Sequence, residues 1–360
     1  MKDKTMYKRT GWLLALVFLI VGCTQAPTRE SVVPTTEETA MLLEYLEGPG
    51  GNLINDGTLP TLVTPEIVLE GLTAFNQLVV DLRPDSLFAA GHIAHAVNLQ
   101  PEEVLHYFEQ IVEPTGFDRI VLVCSDAMLS AYVNGILRLL GHANVYTLRN
   151  GMSAWSSEIA EVYWLPAMSA HMEGRLETTP HPKNQPGTMP AIATGKTSGY
   201  EILRARAANM LKERAGRTEV TADELMAAAS DWYIVNYWPA DLYNQGHITG
   251  SVQYGPRTSM HSGADLFTLP AGERIAVWCY TGHTSAYVTA FLNLLGYDAY
   301  NVPYGANSFI HDTMKGFGIP TRTFDDQTPR NYPLVKPGEQ GVQQDTPEIK
   351  TEIQSVEGGC

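Results

Sequence analysis

Short apolar runs recur along the chain, each closed by a polar residue or a cysteine: Leu78-Val79-Val80 before Asp81, Arg119–Val123 before Cys124, and Arg274–Trp278 before Cys279. Runs this short, without the alternation of a half-exposed strand, predict parallel strands buried on both faces. Helical periodicity follows each, so the pattern predicts an α/β fold. Helix starts are marked by Thr64-Pro65, a cap followed by proline at the first helical position, and by Thr221-Ala222-Asp223-Glu224, a capping box. A further helix is predicted over Glu201–Glu213, and a Pro-, His- and Gly-bearing stretch over 180–198 separates two similar halves.

The similarity of the halves has a fixed register. Gly91-His92-Ile93 and Gly246-His247-Ile248, Cys124 and Cys279, and Leu139-Leu140-Gly141 and Leu294-Leu295-Gly296 are each separated by 155 residues. Three landmarks in one register indicate a duplicated domain. A chain of 360 residues with 44% hydrophobic content can bury two ordinary cores. The expected domains are 61–165 and 221–320, joined by a linker with a helix over 166–220. A flexible tether over 23–60, with at most a short helix through 41–47, and a mostly disordered tail over 321–360 complete the expected organisation.

The N-terminus has a different pattern. Lys2, Lys4, Lys8 and Arg9 precede an apolar run from Trp12 to Val21, too short for a mature membrane span but suited to a secretory signal. The run closes in Ile20-Val21-Gly22-Cys23, which resembles the lipobox of bacterial lipoproteins. That resemblance implies a signal peptide over 1–22 and acylation of Cys23, the alternative being an uncleaved anchor with an incidental Cys23. Thr24, rather than aspartate, follows, so a lipid-anchored protein of the bacterial cell envelope, at the outer membrane, is expected. The formal charge is −15; loss of four cations and Asp3 with residues 1–22 leaves −18. So acidic a protein opposes nucleic acid as a partner. Cys124, Cys279 and Cys360 then remain, an odd number without a short-range pairing pattern, which argues against a disulfide scaffold and for free thiols. Cys360 reads as a tail residue, a sulfur shuttle or an intermolecular bridge. No metal and no cofactor are expected.

The chemistry concentrates where strands deliver cysteines to helix starts. After Cys279 comes Tyr280-Thr281-Gly282-His283-Thr284-Ser285, leading into a helix over 286–295. Such a loop turns backbone amides inward and adds the helix dipole, favouring a thiolate, a persulfide or a bound oxyanion. Gly282 permits the tightly curved backbone.

These residues resemble the rhodanese superfamily, whose active-site loop usually runs Cys-x-x-Gly-x-Arg-Ser/Thr. Val80-Asp81-Leu82-Arg83-Pro84, Phe88, Gly91-His92-Ile93, Ala96 and Asn98 resemble its N-terminal signature, and Leu148-Arg149-Asn150-Gly151 with Trp155 its closing turn. The resemblance implies two tandem rhodanese-like domains, each a mostly parallel sheet flanked by helices. It also implies a sulfurtransferase or sulfane-sulfur carrier that works through a persulfide on Cys279. Its partners would be a sulfane-sulfur donor and a thiol or cyanide acceptor.

The halves depart from the pattern in complementary ways. The first keeps Asp81 and Arg83, but its loop reads Cys124-Ser125-Asp126-Ala127-Met128-Leu129-Ser130, with Ala127 for glycine, Leu129 for arginine, and an anion beside the thiol. The second keeps Gly282 but places Asn236 and Trp238 at the Asp/Arg scaffold positions. Cys279 is therefore the expected nucleophile; Cys124 is a possible second thiol or a small buried hydrophobe. His92 and His247 read as structural hydrogen-bonders, and His283 as either an assistant to the thiol or a solvent-facing loop residue. Neither loop has an arginine or lysine, which argues against phosphoryl transfer. The alternative class is a non-catalytic module that docks on an envelope partner or binds a chalcogen oxyanion.

Overall fold

A computed structural model describes residues 35–48, 54–55, 61–73, 76–318 and 322–338; Cys23, Cys360 and the signal-peptide residues lie outside them. Two parallel sheets form. The first has the order β1 (Leu62–Val63), β5 (Val145–Leu148), β4 (Arg119–Val123), β2 (Gln77–Asp81), β3 (Val97–Asn98), and the second β7 (Val252–Gln253), β6 (Trp232–Asn236), β8 (Arg274–Trp278), β9 (Asp298–Asn301). Their central strands are apolar on both faces because helices cover both, as a parallel sheet requires. Val80 pairs with Leu122 and Val235 with Val277, so the 155-residue register persists in the strands. It also persists in the helices that follow the cysteines, Met128–Leu139 and His283–Leu294.

Those two helices pack against each other and join the domains through one core, which contains Tyr132, Val133 and Ile136 of one and Tyr287, Ala290 and Phe291 of the other. Gly135 makes the approach possible: a Cβ there would lie 3.2 Å from the Tyr287 ring. Polar groups at this contact are paired, with Tyr287 OH 3.0 Å from Thr61 Oγ1 and Asn293 Nδ2 donating to Tyr132 OH at 3.3 Å.

Two connecting segments are more ordered than expected, and the linker carries its expected helix. The tether contains a helix, Thr36–Glu47, capped by Thr35, and Leu42, Leu43 and Leu46 are buried in the shared core. Each buried leucine contributes roughly 1.5–3 kcal/mol, enough to hold twelve residues that propensity alone would not. The Glu38 carboxylate accepts from Thr194 N at 2.7 Å and Gly195 N at 3.0 Å, tying the helix to the linker. The linker's own helix, Gly199–Glu213, starts against it, Gly199 lying where a Cβ would meet Tyr45 Cβ at 2.3 Å. In the expected tail, residues 330–335 fold back over the first domain: Tyr332 N donates to Trp155 O at 3.0 Å, Trp155 Nε1 to Pro333 O at 3.0 Å, and Val335 N to His92 O at 2.8 Å. The tail composition is polar, but these backbone groups have partners waiting on the domain surface. Among the described residues no helix is long and apolar enough to cross a membrane.

Candidate active site

Each cysteine stands where a central strand ends and its loop turns into the helix packed at the domain contact. Cys279 Sγ accepts a hydrogen bond from Ser285 N at 3.4 Å and lies 3.3 Å from Ser285 Oγ, which donates to Gly282 O at 3.1 Å. Cys124 has the same frame: Ser130 N donates to its Sγ at 3.4 Å, and Ser130 Oγ lies 3.4 Å away. Both loops are clamped by a glycine from the turn after the next strand. A Cβ on Gly151 would meet Cys124 O at 2.5 Å, and one on Gly305 would meet Cys279 O at 2.4 Å. Met152 N and Ala306 N then bond those carbonyls at 2.8 and 2.9 Å.

Backbone shape does not distinguish the loops. Gly282 takes φ +83°, and Ala127 takes φ +81°. The expected advantage of Gly282 in closing its loop is corrected here: Ala127 also enters the left-handed region, at a cost of about 1–2 kcal/mol, and the frame forms in both.

Electrostatics does distinguish them. Asp126 Oδ1 lies 3.6 Å from Cys124 Sγ, with the thiol as donor, and accepts from Met128 N at 3.0 Å. Burial first, and then Asp126, push the Cys124 thiol up to about 12. At the matching position the second loop has Thr281, whose hydroxyl lies 3.0 Å from His283 Nδ1. No carboxylate touches Cys279 Sγ among the described hydrogen bonds.

The loops meet face to face. Met128, one residue past Ala127, packs on Gly282, where a Cβ would lie 2.7 Å from its Sδ. His283, one residue past Gly282, lies beside the Asp126 backbone and 5.9 Å from the Trp164 ring. Trp164 Nε1 donates to Asp126 O at 2.9 Å, Tyr304 OH to Asp126 Oδ2 at 3.1 Å, and Phe324 stacks on Trp164 at 4.8 Å. His283 is 1% exposed, not solvent-facing. Burial, and then the Arg149 charge, push it down to about 3, so it is neutral at physiological pH and supplies no cation to the thiol.

Of the expected loop residues, Ser285 reaches the sulfur, Thr281 and His283 engage each other, Gly282 makes the turn, and Thr284 and Tyr280 are half-buried at the rim. Tyr280 stacks on Trp238 at 4.9 Å, and Arg322 lies 4.1 Å over its ring. Nothing in the sequence marks Arg322, which comes from the expected tail; it brings a cation to the residue next to Cys279. The scaffold positions differ as expected. Arg83 clasps Asp81 through Nε at 3.0 Å and Nη2 at 2.7 Å, fully buried, whereas Asn236 Oδ1 only accepts from Trp238 N at 3.1 Å and Trp238 packs against Trp278. Cys279 is 2% exposed and Cys124 4%, and a cleft of about 460 Å³ lined by Glu66, Arg149 and Arg330 includes neither thiol.

The rhodanese-like domain model matches residues 64–158 and 221–312, just over half of the chain. The chain belongs to the rhodanese-like family. Its two matched segments carry the two cysteine loops and every strand of the two sheets except Leu62–Val63. The chain is 36% identical over 78 residues to the thiosulfate sulfurtransferase GlpE of Shewanella oneidensis, covering 21% of this chain and 73% of that protein. Among solved structures, a rhodanese-related protein of Thermoplasma volcanium matches 27% of this chain and 92% of its own, at 21% identity and TM-score 0.24. SseA of Escherichia coli, described in terms of the rhodanese fold of 3-mercaptopyruvate sulfotransferases, matches 67% of this chain and 96% of its own, at 16% identity and TM-score 0.24.

Proposed function

We propose that this rhodanese-like protein is a sulfurtransferase or sulfane-sulfur carrier whose sulfur rests on Cys279. The observation that carries the reading is the contrast at the sulfur atoms: Cys124 hands its proton toward Asp126, while Cys279, in the same frame of serine donors at a helix start, has no such anion. In the first half-reaction the Cys279 thiolate attacks the sulfane sulfur of thiosulfate. The S–S bond of the donor breaks, sulfite leaves with the electron pair, and a persulfide anion remains on Cys279. Cyanide or a thiolate then attacks the outer sulfur, which departs as thiocyanate or as the acceptor's persulfide and returns the Cys279 thiolate. The Ser285 amide would stabilise the anionic sulfur at each stage, joined by the Ser285 hydroxyl when it turns from Gly282 O. With the thiol 2% exposed, the donor must displace part of the rim around Tyr280. The protein would work from a lipid anchor on Cys23 at the envelope, with an envelope protein as a possible acceptor.

The same burial of both thiols favours a second reading, a rhodanese-like docking or oxyanion-binding module without turnover. One experiment separates them. Intact-protein mass spectrometry after incubation with thiosulfate should show one added sulfur atom in wild type and in Cys124→Ser, none in Cys279→Ser, and the acyl mass on Cys23 in membrane-derived material. Thiosulfate:cyanide sulfurtransferase activity should follow the same pattern, with Cys279→Ser losing at least about 10³-fold. Equal losses in the two cysteine variants would overturn the assignment to Cys279, and no added sulfur in wild type would favour the docking module.

A further inference from the structure

Both Gly-His-Ile turns carry the same histidine arrangement. His92 stacks on Phe88 at 3.9 Å with Nδ1 3.0 Å from Phe88 O; His247 stacks on Tyr243 at 3.8 Å with Nδ1 2.9 Å from Tyr243 O. A carbonyl only accepts, so Nδ1 carries the proton and Nε2 the lone pair. Each turn is also bridged by a connecting segment, and here the halves diverge. His92 faces Val335, with which it exchanges backbone bonds of 3.2 and 2.8 Å. His247 faces Glu177 from the linker, through a reciprocal pair of 2.9 Å bonds.

Around His247 this exchange assembles three donors. His181, four residues past Glu177, has Nε2 2.9 Å from Glu177 Oε2. Its backbone is fixed by the bond from its N to Tyr243 OH, at 3.0 Å. His247 is fully buried, and its Nε2 has no hydrogen-bond partner, an unpaired acceptor that a folded protein seldom tolerates. The donor atoms of Glu177, His181 and His247 all lie within 4.8 Å of one another. His181 and Glu177 are 36% and 25% exposed, leaving one side open to water.

We propose that Glu177, His181 and His247 bind one divalent transition-metal ion of the zinc class, with water as a fourth ligand, and thereby fasten the linker to the second domain. Two imidazoles and a carboxylate suit this class of ion. Ligand distances of about 2.0–2.2 Å place tetrahedral ligand atoms roughly 3.3 Å apart, a closure that rotations of the half-exposed His181 and Glu177 can supply. The Nδ1–H bond to Tyr243 O orients His247 and raises its basicity as a ligand.

The test uses the untagged, metal-free full chain titrated with Co²⁺ and then Zn²⁺. One Co²⁺ should bind with visible d–d bands and no sulfur-to-metal charge-transfer band, and Zn²⁺ should displace it. Glu177→Gln and His181→Ala should each weaken Zn²⁺ binding by at least about tenfold, whereas His92→Gln leaves it unchanged. Zn²⁺ should raise the thermal midpoint of wild type and not that of the double variant that combines Glu177→Gln with His181→Ala. If His181→Ala does not fold, Glu177→Gln decides, because it keeps the backbone bridge and the side-chain shape. A thiolate charge-transfer band that disappears in Cys279→Ser, wild-type affinity in the double variant, or saturation only at millimolar metal would each overturn the proposal.

Discussion

Cys124 and Cys279 occupy equivalent points, each held by a serine amide and hydroxyl at about the same distance and each under a clamping glycine. Two residues on, the first loop has Asp126 and the second Thr281. Burial opposes the Cys124 thiolate most, and that one difference adds to it, because an anion beside a buried thiol opposes the thiolate while an amide frame only assists it. The scaffold shows the opposite distribution. The first domain spends its buried charge on the Asp81–Arg83 pair, and the second replaces that pair with a neutral turn and a tryptophan cluster. A duplicated frame can thus keep its geometry while charge moves from one half to the other.

The largest way to test this division, after the cysteine exchange above, is through His283. Its first-domain counterpart is Met128, which cannot titrate. An unfolded histidine protonates near 6.5, whereas His283 resists protonation to about 3. Between those values the unfolded chain binds the extra proton, so the native state loses stability as pH falls from about 6.5 toward 3. His283→Gln should flatten that fall by a few kcal/mol, read from urea midpoints of both proteins across the window, and the wild-type sulfur-transfer profile should show no inflection from this group near 6.5. An unchanged acid limb in the variant would mean that His283 is solvated and cationic, and that the second loop is not neutral.

A smaller effect is expected at the arginine position of the family loop, occupied by Thr284 here and Leu129 in the first domain. Thr284→Arg should add a fixed cation and planar donors at the half-buried rim of Cys279. Roughly 1–2 kcal/mol at an intermediate dielectric corresponds to about tenfold in rate. The gain should appear in thiosulfate:cyanide activity at low ionic strength and shrink with salt. No gain would indicate that Arg322, over the neighbouring Tyr280, already meets the donor's charge.

What was legible in the sequence follows the same physics. The strands, the repeat and the cysteine frames are local: an apolar run, a turn and a helix start lie within some twenty residues, and 155-residue spacing repeats them. The sequence shows at most a short helix over 41–47 where Thr36–Glu47 forms, because its composition offers only three core leucines, which count only once the linker and the shared core receive them. The same holds for Phe324, Tyr332 and Leu334 in the polar tail, whose partners Trp164, Trp155 and Gly91 are over a hundred residues away. The Glu177, His181 and His247 cluster was invisible for a related reason: its histidines stand in a linker and in a turn explained by stacking, and only the bridge between them brings the donors together.

The smallest effect concerns Ala127, which stands where the second loop has Gly282. Three terms act on Ala127→Gly. Relief of the left-handed φ of +81° returns about 1–2 kcal/mol. Greater freedom of glycine in the unfolded chain costs about 0.4–1 kcal/mol, and removal of a fully buried methyl costs roughly 0.8 kcal/mol more. These nearly cancel, so the variant should unfold within about 0.5 kcal/mol of wild type. Ala131→Gly, one turn along the same helix and equally buried, has no strain to relieve and should cost about 2 kcal/mol from helix propensity and burial together. Denaturant midpoints of the two variants measure the difference directly. If Ala127→Gly costs as much as Ala131→Gly, Ala127 is not held in the left-handed region, and the two cysteine loops differ in backbone as well as in charge.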